Sequence, residues 1–152
     1  MSKSQVSFEN AEIGFRNFEG KEGPFNKAGD RNFVVFMDPE EAGMLERDGW
    51  NIKYPKPRAV EDPSEEDTRK PYMQVSVGFN AYPPKIILIS GDRVTKIGED
   101  EVDMLDWAEI QKVDLVVRPY EWAVNGNTGT KAYAKAIYVT IVEDEFADKY
   151  NI

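Results

Sequence analysis

The chain has 152 residues, which fits one domain of about 100–200 residues with a sizeable core. It contains no cysteine and no histidine, so disulfides, thiolate zinc sites, cysteine nucleophiles and histidine-based acid–base catalysis are excluded. The formal net charge of −9, taken alone, argues against a nucleic-acid partner. No apolar run approaches the ~20 residues of a membrane span, so we expect a soluble intracellular protein without a membrane partner.

The acidic residues are unevenly distributed along the chain. Three windows, 61–67, 99–106 and 143–148, hold fourteen of the 28 acidic residues and no Lys or Arg. The rest of the chain has 19 basic and fourteen acidic residues, a net charge of +5. The first window is typical of an exposed loop, and the other two are typical of helix starts, where carboxylates favour the positive end of the dipole. The alternative is that these segments dock onto basic partners or mimic nucleic acid.

Most of the sequence is typical of β-strands separated by turn residues. The extended segments predicted in chain order are 5–18, 32–37, 50–54, 72–79, 85–90, 93–97, 113–122 and 131–142. The first of them is predicted to be one long, curved strand. A short helix is predicted over 39–48, with Asp38 as its N-cap, Pro39 at its first position and Gly49 at its end.

A second short helix is predicted over about 99–110, with inward-facing positions at Val102, Leu105 and Ile110. The turn residues Asn125–Gly129 predict a hairpin between the last two strands. We also predict a mobile charged loop at about 55–70 and a short acidic C-terminal segment, 143–152, with a helical turn or two.

A helix placed just before a final hairpin, within a mainly β chain, indicates an OB-like fold. We predict a single domain over 1–152, built as a five-stranded Greek-key barrel elaborated with an extra hairpin and two to three short helices. Other small barrels and α+β sandwiches fit the same pattern less specifically.

The final hairpin carries the most informative side-chain pattern. Alternation places Val113, Leu115 and Val117 on one face of its first strand, which predicts a core face. The opposite face of both strands collects cations and aromatic rings: Arg118, Tyr120, Trp122, Lys131, Tyr133 and Lys135. The alternation changes near Ile137, which indicates a bulge.

Two further segments combine basic and aromatic residues. The first, FRNFEGKEGPFNKAGDRNF, has glycines that place its lysines in a loop, and its candidates are Arg16, Phe18, Lys21, Phe25, Lys27 and Arg31. The second, 50–58, provides Trp50 and Lys53. Cations that follow phosphates, and rings worth ~1–3 kcal/mol per stacked base, are what a sequence-tolerant single-strand binder needs. The same residues also arise from β-propensity, half-buried packing and protection of sheet edges, and both interpretations stay open here.

Signatures of enzymes are weak throughout the chain. The GxGxxG, P-loop and HExxH motifs are absent, and the stretch 126–131 lacks the P-loop spacing. Acid pairs such as Asp100 and Asp103 could hold Mg²⁺, but a chain with so many carboxylates makes that signal unspecific. We therefore expect no catalysis, no cofactor and no metal, with a metal-dependent nuclease as the less favoured alternative.

Several longer segments, taken together, resemble a known family. They are RNFEG, FNKAGDRNFVVF, DGWNIKY, PPKIILIS, LDWAEIQKVDLVVRPYEWAVNG and GTKAYAKAIYVTIVEDEFADKY, and they span about residues 14–150. The family is the OB-fold single-stranded DNA-binding proteins encoded by tailed bacteriophages. The resemblance implies a non-enzymatic protein that coats single strands during phage DNA replication or recombination, in the cytoplasm of the bacterial host.

The resemblance also implies which residues contact DNA. They are Arg16, Phe18, Phe25, Arg31, Trp50, Lys53, Arg118, Tyr120, Trp122, Lys131, Tyr133 and Lys135. Phage replication or recombination proteins and further copies of the chain are compatible partners. Many single-strand binders end in an acidic tail tipped with an aromatic, whereas this chain ends in DEFADKYNI, which puts a partner-recruiting tail in doubt.

Resolved by segment, the net charge no longer excludes a DNA ligand. We expect the strand to follow the basic, aromatic part of the barrel, away from the three acidic windows. The chief alternative is an acidic protein-interaction or DNA-mimic module in which the aromatic residues belong to the core.

Overall fold

The structure is a computed structural model that describes residues 5–24, 26–55, 70–80 and 83–142. The fold is mainly β. Its strands are β1 (Val6–Phe8), β2 (Glu12–Asn17), β3 (Arg31–Phe36), β4 (Ile52–Lys53), β5 (Tyr72–Val77), β6 (Lys85–Ser90), β7 (Arg93–Ile97), β8 (Ile110–Val124) and β9 (Asn127–Ile141). An α-helix, α1 (Pro39–Arg47), and a 3₁₀ helix (Val102–Asp106) interrupt them. Within these ranges, no helix is long and apolar enough to cross a membrane.

All nine of these strands belong to one sheet. Its main hydrogen-bonded order is β1-β8-β9-β5-β3-β2. The β5–β9 pair is parallel, and the other neighbours along this order are antiparallel. Strand β4 pairs with β5, and the β6–β7 hairpin joins the sheet through a parallel pairing of β6 with β9. Strands β1 and β2, which lie at the two ends of the main order, follow each other in the chain.

The core lies under one face of this sheet. Val113, Leu115 and Val117 are buried there, which confirms the face predicted from alternation. The rings of Phe18 and Phe33 stack in the same core with centroids 5.1 Å apart, and both are fully buried. Burial of side chains of this size provides most of the hydrophobic free energy of such a fold. The opposite face of β3, β5, β8 and β9 is partly open to solvent, although Val34 of β3 is buried there.

Helix α1 is confirmed with the predicted caps. The Oδ1 of Asp38 accepts a hydrogen bond of 2.8 Å from the backbone N–H of Glu41, and Pro39 is the first helical residue. Gly49 follows the end of the helix with a φ of 94°. All of these features lie within residues 38–49, so the local sequence is enough to specify them.

The prediction of one long strand over 5–18 is wrong. The segment is divided into β1 and β2 by a turn at Asn10, whose φ is 51°. The backbone N–H of Asn10 donates to Oδ1 of Asp114 at 2.9 Å, and the N–H of Ala11 donates to the carbonyl of Val113 at 2.7 Å. Contacts with β8, a hundred residues away, therefore divide the segment.

The helix predicted over 99–110 is shorter than expected. Only Val102–Asp106 is helical, and Ile110 begins β8 instead of completing the helix. Val102 and Leu105 are buried as predicted. The guanidinium of Arg16 donates to the carbonyl oxygens of Leu105 and Ala108 at 2.8 and 2.9 Å. These carbonyls are thus satisfied by a distant side chain rather than by a further helical turn.

The β8–β9 hairpin is confirmed, with a tighter turn than predicted. Val124 pairs with Asn127, so the turn consists of Asn125 and Gly126, with φ values of 51° and 81°. Positive φ at both central residues is the geometry in which Asn-Gly turns match the twist of the strands.

The bulge lies slightly before its predicted position. Consecutive residues Val116 and Val117 of β8 pair with residues two positions apart on β9, which leaves Lys135 as the extra residue. After the bulge, Ile137 and Val139 are buried on β9. The inserted residue changes which alternate positions face the core, which explains the change of pattern in the sequence.

Some predictions lie outside the described residues. These are Phe25, the acidic windows 61–67 and 143–148, most of the charged loop at 55–70, and the helical turn within 143–152. The single domain over 1–152 also stays a prediction.

Candidate nucleic-acid interface

The strand residues that point away from the core form one continuous surface, which we call the outer face. Its members on the four central strands include Asn32, Gln74, Ser76, Arg118, Tyr120, Trp122, Lys131 and Tyr133. Asn32 pairs with Ser76, and Ser76 pairs with Tyr133. Tyr133 in turn pairs with Arg118, so a row of polar, aromatic and cationic groups crosses β3, β5, β9 and β8.

Tyr133 lies at the centre of a cluster that we call the hairpin platform, formed by Arg118, Tyr120, Trp122, Lys131 and Tyr133. The Arg118 guanidinium lies 5.0 Å and the Lys131 ammonium 5.1 Å from the centroid of the Tyr133 ring. The ring of Tyr120 meets that of Tyr133 edge to face, with centroids 6.0 Å apart, and Tyr120 is 53% exposed. Cation–π contacts of this kind hold cations beside an aromatic surface that still faces solvent.

Trp122 extends the hairpin platform toward the turn. It pairs with Gly129, and a Cβ added at that glycine would lie 2.5 Å from Cζ2 of the indole. The indole therefore lies directly over the backbone of the neighbouring strand, while 39% of Trp122 stays exposed. A ring held in this way loses little conformational entropy when a ligand stacks on it.

Two adjoining depressions lie beside the hairpin platform. One has a volume of about 320 Å³ and the other about 140 Å³, and Gln74, Ser76 and Lys131 border both. Tyr133 lines the larger depression and Trp122 the smaller one. Amide and hydroxyl groups at their bases can donate and accept hydrogen bonds, so the pair forms a polar groove along an aromatic and cationic wall.

The loop before β3 borders the larger depression through Asn26, Gly29 and Asp30. Asn26 orders this loop, since its Nδ2 donates to the carbonyl oxygens of Lys21, Lys27 and Asp30 at 2.8 to 3.1 Å. The side chains of Lys21 and Lys27 are exposed on the loop. The structure therefore brings the first basic segment of the sequence next to the hairpin platform.

Arg31 also borders the larger depression, but its guanidinium is engaged by the protein. It donates to the carbonyl oxygen of Glu19 at 2.9 Å, forms an ion pair of 3.5 Å with Glu99 and lies 5.7 Å from the ring centroid of Phe79. Glu99 lines the depression as well. One residue of the acidic window 99–106 thus borders the candidate groove, because it supplies the counter-ion of Arg31, whereas the expectation that DNA keeps away from this window stays a prediction.

The same acidic window has a further structural role. Both carboxylate oxygens of Asp106 accept hydrogen bonds from backbone N–H groups, one from Phe18 and one from Glu19 at 3.0 Å. Across the described ranges, no three acidic residues lie close enough together to hold a metal ion. Through Asp106, the acidic window thus anchors the end of β2, in addition to placing carboxylates at the start of a helix.

The second basic segment reaches the outer face from another side. Asn51 lines the smaller depression, and Lys53 is exposed on β4, where it pairs with Tyr72. Lys135, at the bulge of β9, donates to Oε1 of Gln5 at 2.8 Å. Lys53 thus adds positive charge on β4 next to β5, whereas the Lys135 ammonium is bonded to Gln5, just before β1.

Phe18, Trp50 and Arg16 are not placed on the outer face. Phe18 is fully buried and Trp50 is 4% exposed, so neither ring offers a surface on which a base can stack. The Arg16 guanidinium is occupied by the carbonyl oxygens of Leu105, in the 3₁₀ helix, and of Ala108, just after it. The revised set of candidate residues therefore leaves out these three, which act within the fold.

The structure brings together three rings that sequence reasoning missed. Phe15, Phe36 and Tyr72 form what we call the three-ring cluster, with all three centroid distances between 6.0 and 6.1 Å. Phe36 and Tyr72 pair on neighbouring strands. Both occupy outward positions of the same alternation that places Asn32 and Gln74 on the outer face, and this was the signal that could have found them.

Comparisons with known proteins agree with this fold. Three solved structures of the single-stranded DNA-binding protein from bacteriophage Enc34 are similar: a C-terminal truncation, a complex with ssDNA and the protein itself. Their TM-scores are 0.54, 0.54 and 0.52, at 10%, 11% and 11% identity, which is a likeness of fold. They cover 93%, 93% and 96% of this chain and 87%, 88% and 89% of theirs.

Among curated protein sequences, no match to the chain was found. A family model described as a putative phage ssDNA-binding domain matches residues 1–152. The match extends over every strand of the outer face described above. The chain therefore belongs to the phage ssDNA-binding domain family.

Proposed function

We propose that this protein binds single-stranded DNA without sequence preference during phage DNA replication or recombination, and that it performs no catalysis. The observation that carries the proposal is the hairpin platform, where Arg118 and Lys131 flank the ring of Tyr133 at 5.0 and 5.1 Å beside a polar groove. Family membership agrees with it.

The chemistry of the platform accounts for binding without sequence preference. The cations neutralise phosphates, which supplies affinity that depends on the backbone alone. Bases stack on the exposed rings of Tyr120 and Trp122, and every base has a π-face that suits such a ring. The side chains of Gln74 and Ser76, at the base of the groove, can each donate or accept a hydrogen bond, so they can bind the edges of different bases.

We also propose that the sheet is an OB-like five-stranded Greek-key barrel, with β1 and β2 together as its first strand and β3, β5, β8 and β9 as the other four. The parallel β5–β9 pairing and the placement of the 3₁₀ helix before β8 support this assignment. In an OB fold, ligands lie on the face of the second and third strands and against the 1–2 and 4–5 loops. Those elements would be β3, β5 and the loop before β3, which border the groove, and the Asn125–Gly126 turn between β8 and β9.

In this proposal the remaining elements elaborate the barrel. They are α1, β4 and the β6–β7 hairpin, together with the helical turn predicted for the C-terminal segment. The proposed location is the cytoplasm of the bacterial host, with ssDNA as the ligand. Phage replication or recombination proteins and further copies of the chain along the strand are proposed as additional partners.

A fluorescence titration with oligo-dT tests the proposal. Trp50 is 4% exposed and Trp107 is 76% exposed beside the acidic window, so a Trp107→Phe background leaves Trp122 as the accessible indole among the three tryptophans. We expect quenching at low salt and weaker binding when salt is added. A complete lack of spectral change at low salt, with no retention of labelled oligo-dT on a filter, would favour the acidic protein-interaction alternative.

The salt dependence can be assigned to individual lysines. Lys131→Gln should make the negative slope of log K against log salt less steep by about 0.7, the value expected when one phosphate contact of a single strand is lost. Lys96→Gln, which removes an exposed lysine from β7, is the matched control and should leave the slope unchanged. An equal effect of both substitutions would mean that the strand follows overall charge rather than this groove.

The position of Trp122 can be tested without removing the ring. Gly129→Ala places a Cβ where Cζ2 of the indole lies, at 2.5 Å, so the ring must leave its place over β9. We expect weaker binding of oligo-dT and an altered tryptophan emission in the free protein. Gly43→Ala, in α1, meets no atom within 4 Å and should change neither property. Wild-type affinity in the Gly129 variant would show that the indole orientation is irrelevant to binding.

A further inference from the structure

We propose that the three-ring cluster is a second base-stacking site, so that one DNA strand contacts both ends of the outer face. The inference rests on the proposed ssDNA binding and extends it to residues of β2, β3 and β5 that the hairpin platform does not include. Its ligand is the base of a nucleotide several positions away along the same strand.

Phe15 is exposed in a way that packing does not explain. Its side chain is 73% exposed, so it buries little apolar surface against the cluster. Its φ is 45°, in the left-handed region that phenylalanine rarely adopts. Strained residues of this kind cluster at functional sites, where the surrounding structure holds them.

The bulge of β2 produces this arrangement. The register of β2 with β3 shifts between Gly14 and Asn17, which gives the strand the extra length that turns Phe15 outward. Phe36 lies across Gly14, since a Cβ there would be 2.6 Å from Cε2 of the ring. The three-ring cluster is therefore an ordered aromatic surface, built over a glycine as Trp122 is built over Gly129.

The cluster continues the proposed interface rather than forming a separate patch. Tyr72 and Ser76 occupy the same face of β5, and Ser76 pairs with Tyr133 of the hairpin platform. Four residues along a strand span about 13 Å. Gln74, which lines both depressions, lies between them. A chain laid along β5 would thus pass from one aromatic surface to the other over polar groups.

The charges near the cluster favour an anionic ligand such as a phosphate backbone over a basic protein partner. Lys53 pairs with Tyr72 on the adjacent strand and is exposed. The nearby carboxylate of Glu12 is neutralised by an ion pair of 2.8 Å with Lys70. At a rise of about 3.4 Å per stacked nucleotide, the 13 Å between the surfaces corresponds to about four steps. Each protein should therefore cover at least about five nucleotides.

Phe15→Asn separates binding from folding. Asparagine tolerates positive φ better than phenylalanine, so the thermal midpoint should be retained or raised. Loss of one stacking ring should weaken binding of dT15 by about 5- to 150-fold, which corresponds to the usual worth of a stacked base. Val94→Asn is the matched control, because Val94 is 68% exposed on β7, outside the outer face, and its removal should leave affinity unchanged.

A second variant locates the contact directly. Phe15→Trp, in the Trp107→Phe background, should add quenching on dT15 binding beyond that of the parent, because the new indole would stack on a base. The proposal of a second site would be overturned if Phe15→Asn bound dT15 as tightly as the wild type and Phe15→Trp showed no added quenching. A second result would also overturn it: a wild-type protein that self-associates in sedimentation without DNA, and a Phe15→Asn variant that does not. The cluster would then be a contact between copies of the protein. If the hairpin platform alone binds, Lys131→Gln still weakens binding; if the wild type does not bind, the proposed function itself fails.

Discussion

Tyr133→Ala is expected to lower the affinity for oligo-dT by roughly 30- to 150-fold, near the upper end of the ~1–3 kcal/mol that one stacking ring contributes. The reason is that the substitution removes more than a ring. Both Arg118 and Lys131 lie about 5 Å from the ring centroid, and both cations lose the surface that positions them. A fluorescence or anisotropy titration at fixed salt measures the change.

Two further variants make this result specific. Tyr133→Phe keeps the ring and should retain affinity close to that of the wild type. Tyr138→Ala removes another tyrosine of β9, one that lies opposite Asp114 and 5.8 Å from the Lys85 ammonium, and it should bind as the wild type does. Similar losses in the Tyr138 and Tyr133 variants would place the strand elsewhere on the sheet.

Phe18→Ala is expected to lower the free energy of unfolding by ~3–5 kcal/mol, the usual cost of truncating a buried phenylalanine. Phe18 is fully buried and stacks on Phe33 with centroids 5.1 Å apart, so the alanine leaves a cavity among rigid neighbours. The loss is a large share of the ~5–15 kcal/mol that stabilises a typical domain. Urea denaturation followed by circular dichroism measures it.

A milder substitution at the same position separates stability from binding. Phe18→Leu keeps most of the buried volume, so the protein should remain folded with a smaller loss of stability. Its affinity for oligo-dT should equal that of the wild type, because the ring does not reach the outer face. Weaker binding by a fully folded Phe18→Leu variant would return this residue to the DNA interface.

The features that local sequence could predict are those held by near neighbours. The Asp38 cap, Pro39 and Gly49 define helix α1 within a dozen residues. Strict alternation on β8 separates its core face from the face of Arg118 and Tyr120, because successive side chains of a strand point to opposite sides. The Asn-Gly dipeptide specifies the turn through its tolerance of positive φ.

The features that local sequence could not predict depend on contacts between distant segments of the chain. Phe18, like Trp122, is an aromatic residue near basic ones, but no alternation signal comparable to that of β8 indicates that its ring is buried. Long-range packing decides this, since Phe18 meets Phe33 and its backbone N–H is held by Asp106. Arg16 is among the residues that the sequence assigns to DNA, but its guanidinium binds the carbonyl oxygens of Leu105 and Ala108, in and just after the distant 3₁₀ helix.

By itself, the sequence determined a mainly β protein with one capped helix and a final hairpin whose outer side is cationic and aromatic. It also showed that the net charge of −9 coexists with a basic remainder. Only the tertiary structure decided which aromatic residues are accessible, and that Phe15, Phe36 and Tyr72 meet. The physical reason is that propensity and alternation act over a few residues, whereas burial and register follow from pairing strands that lie far apart in the chain.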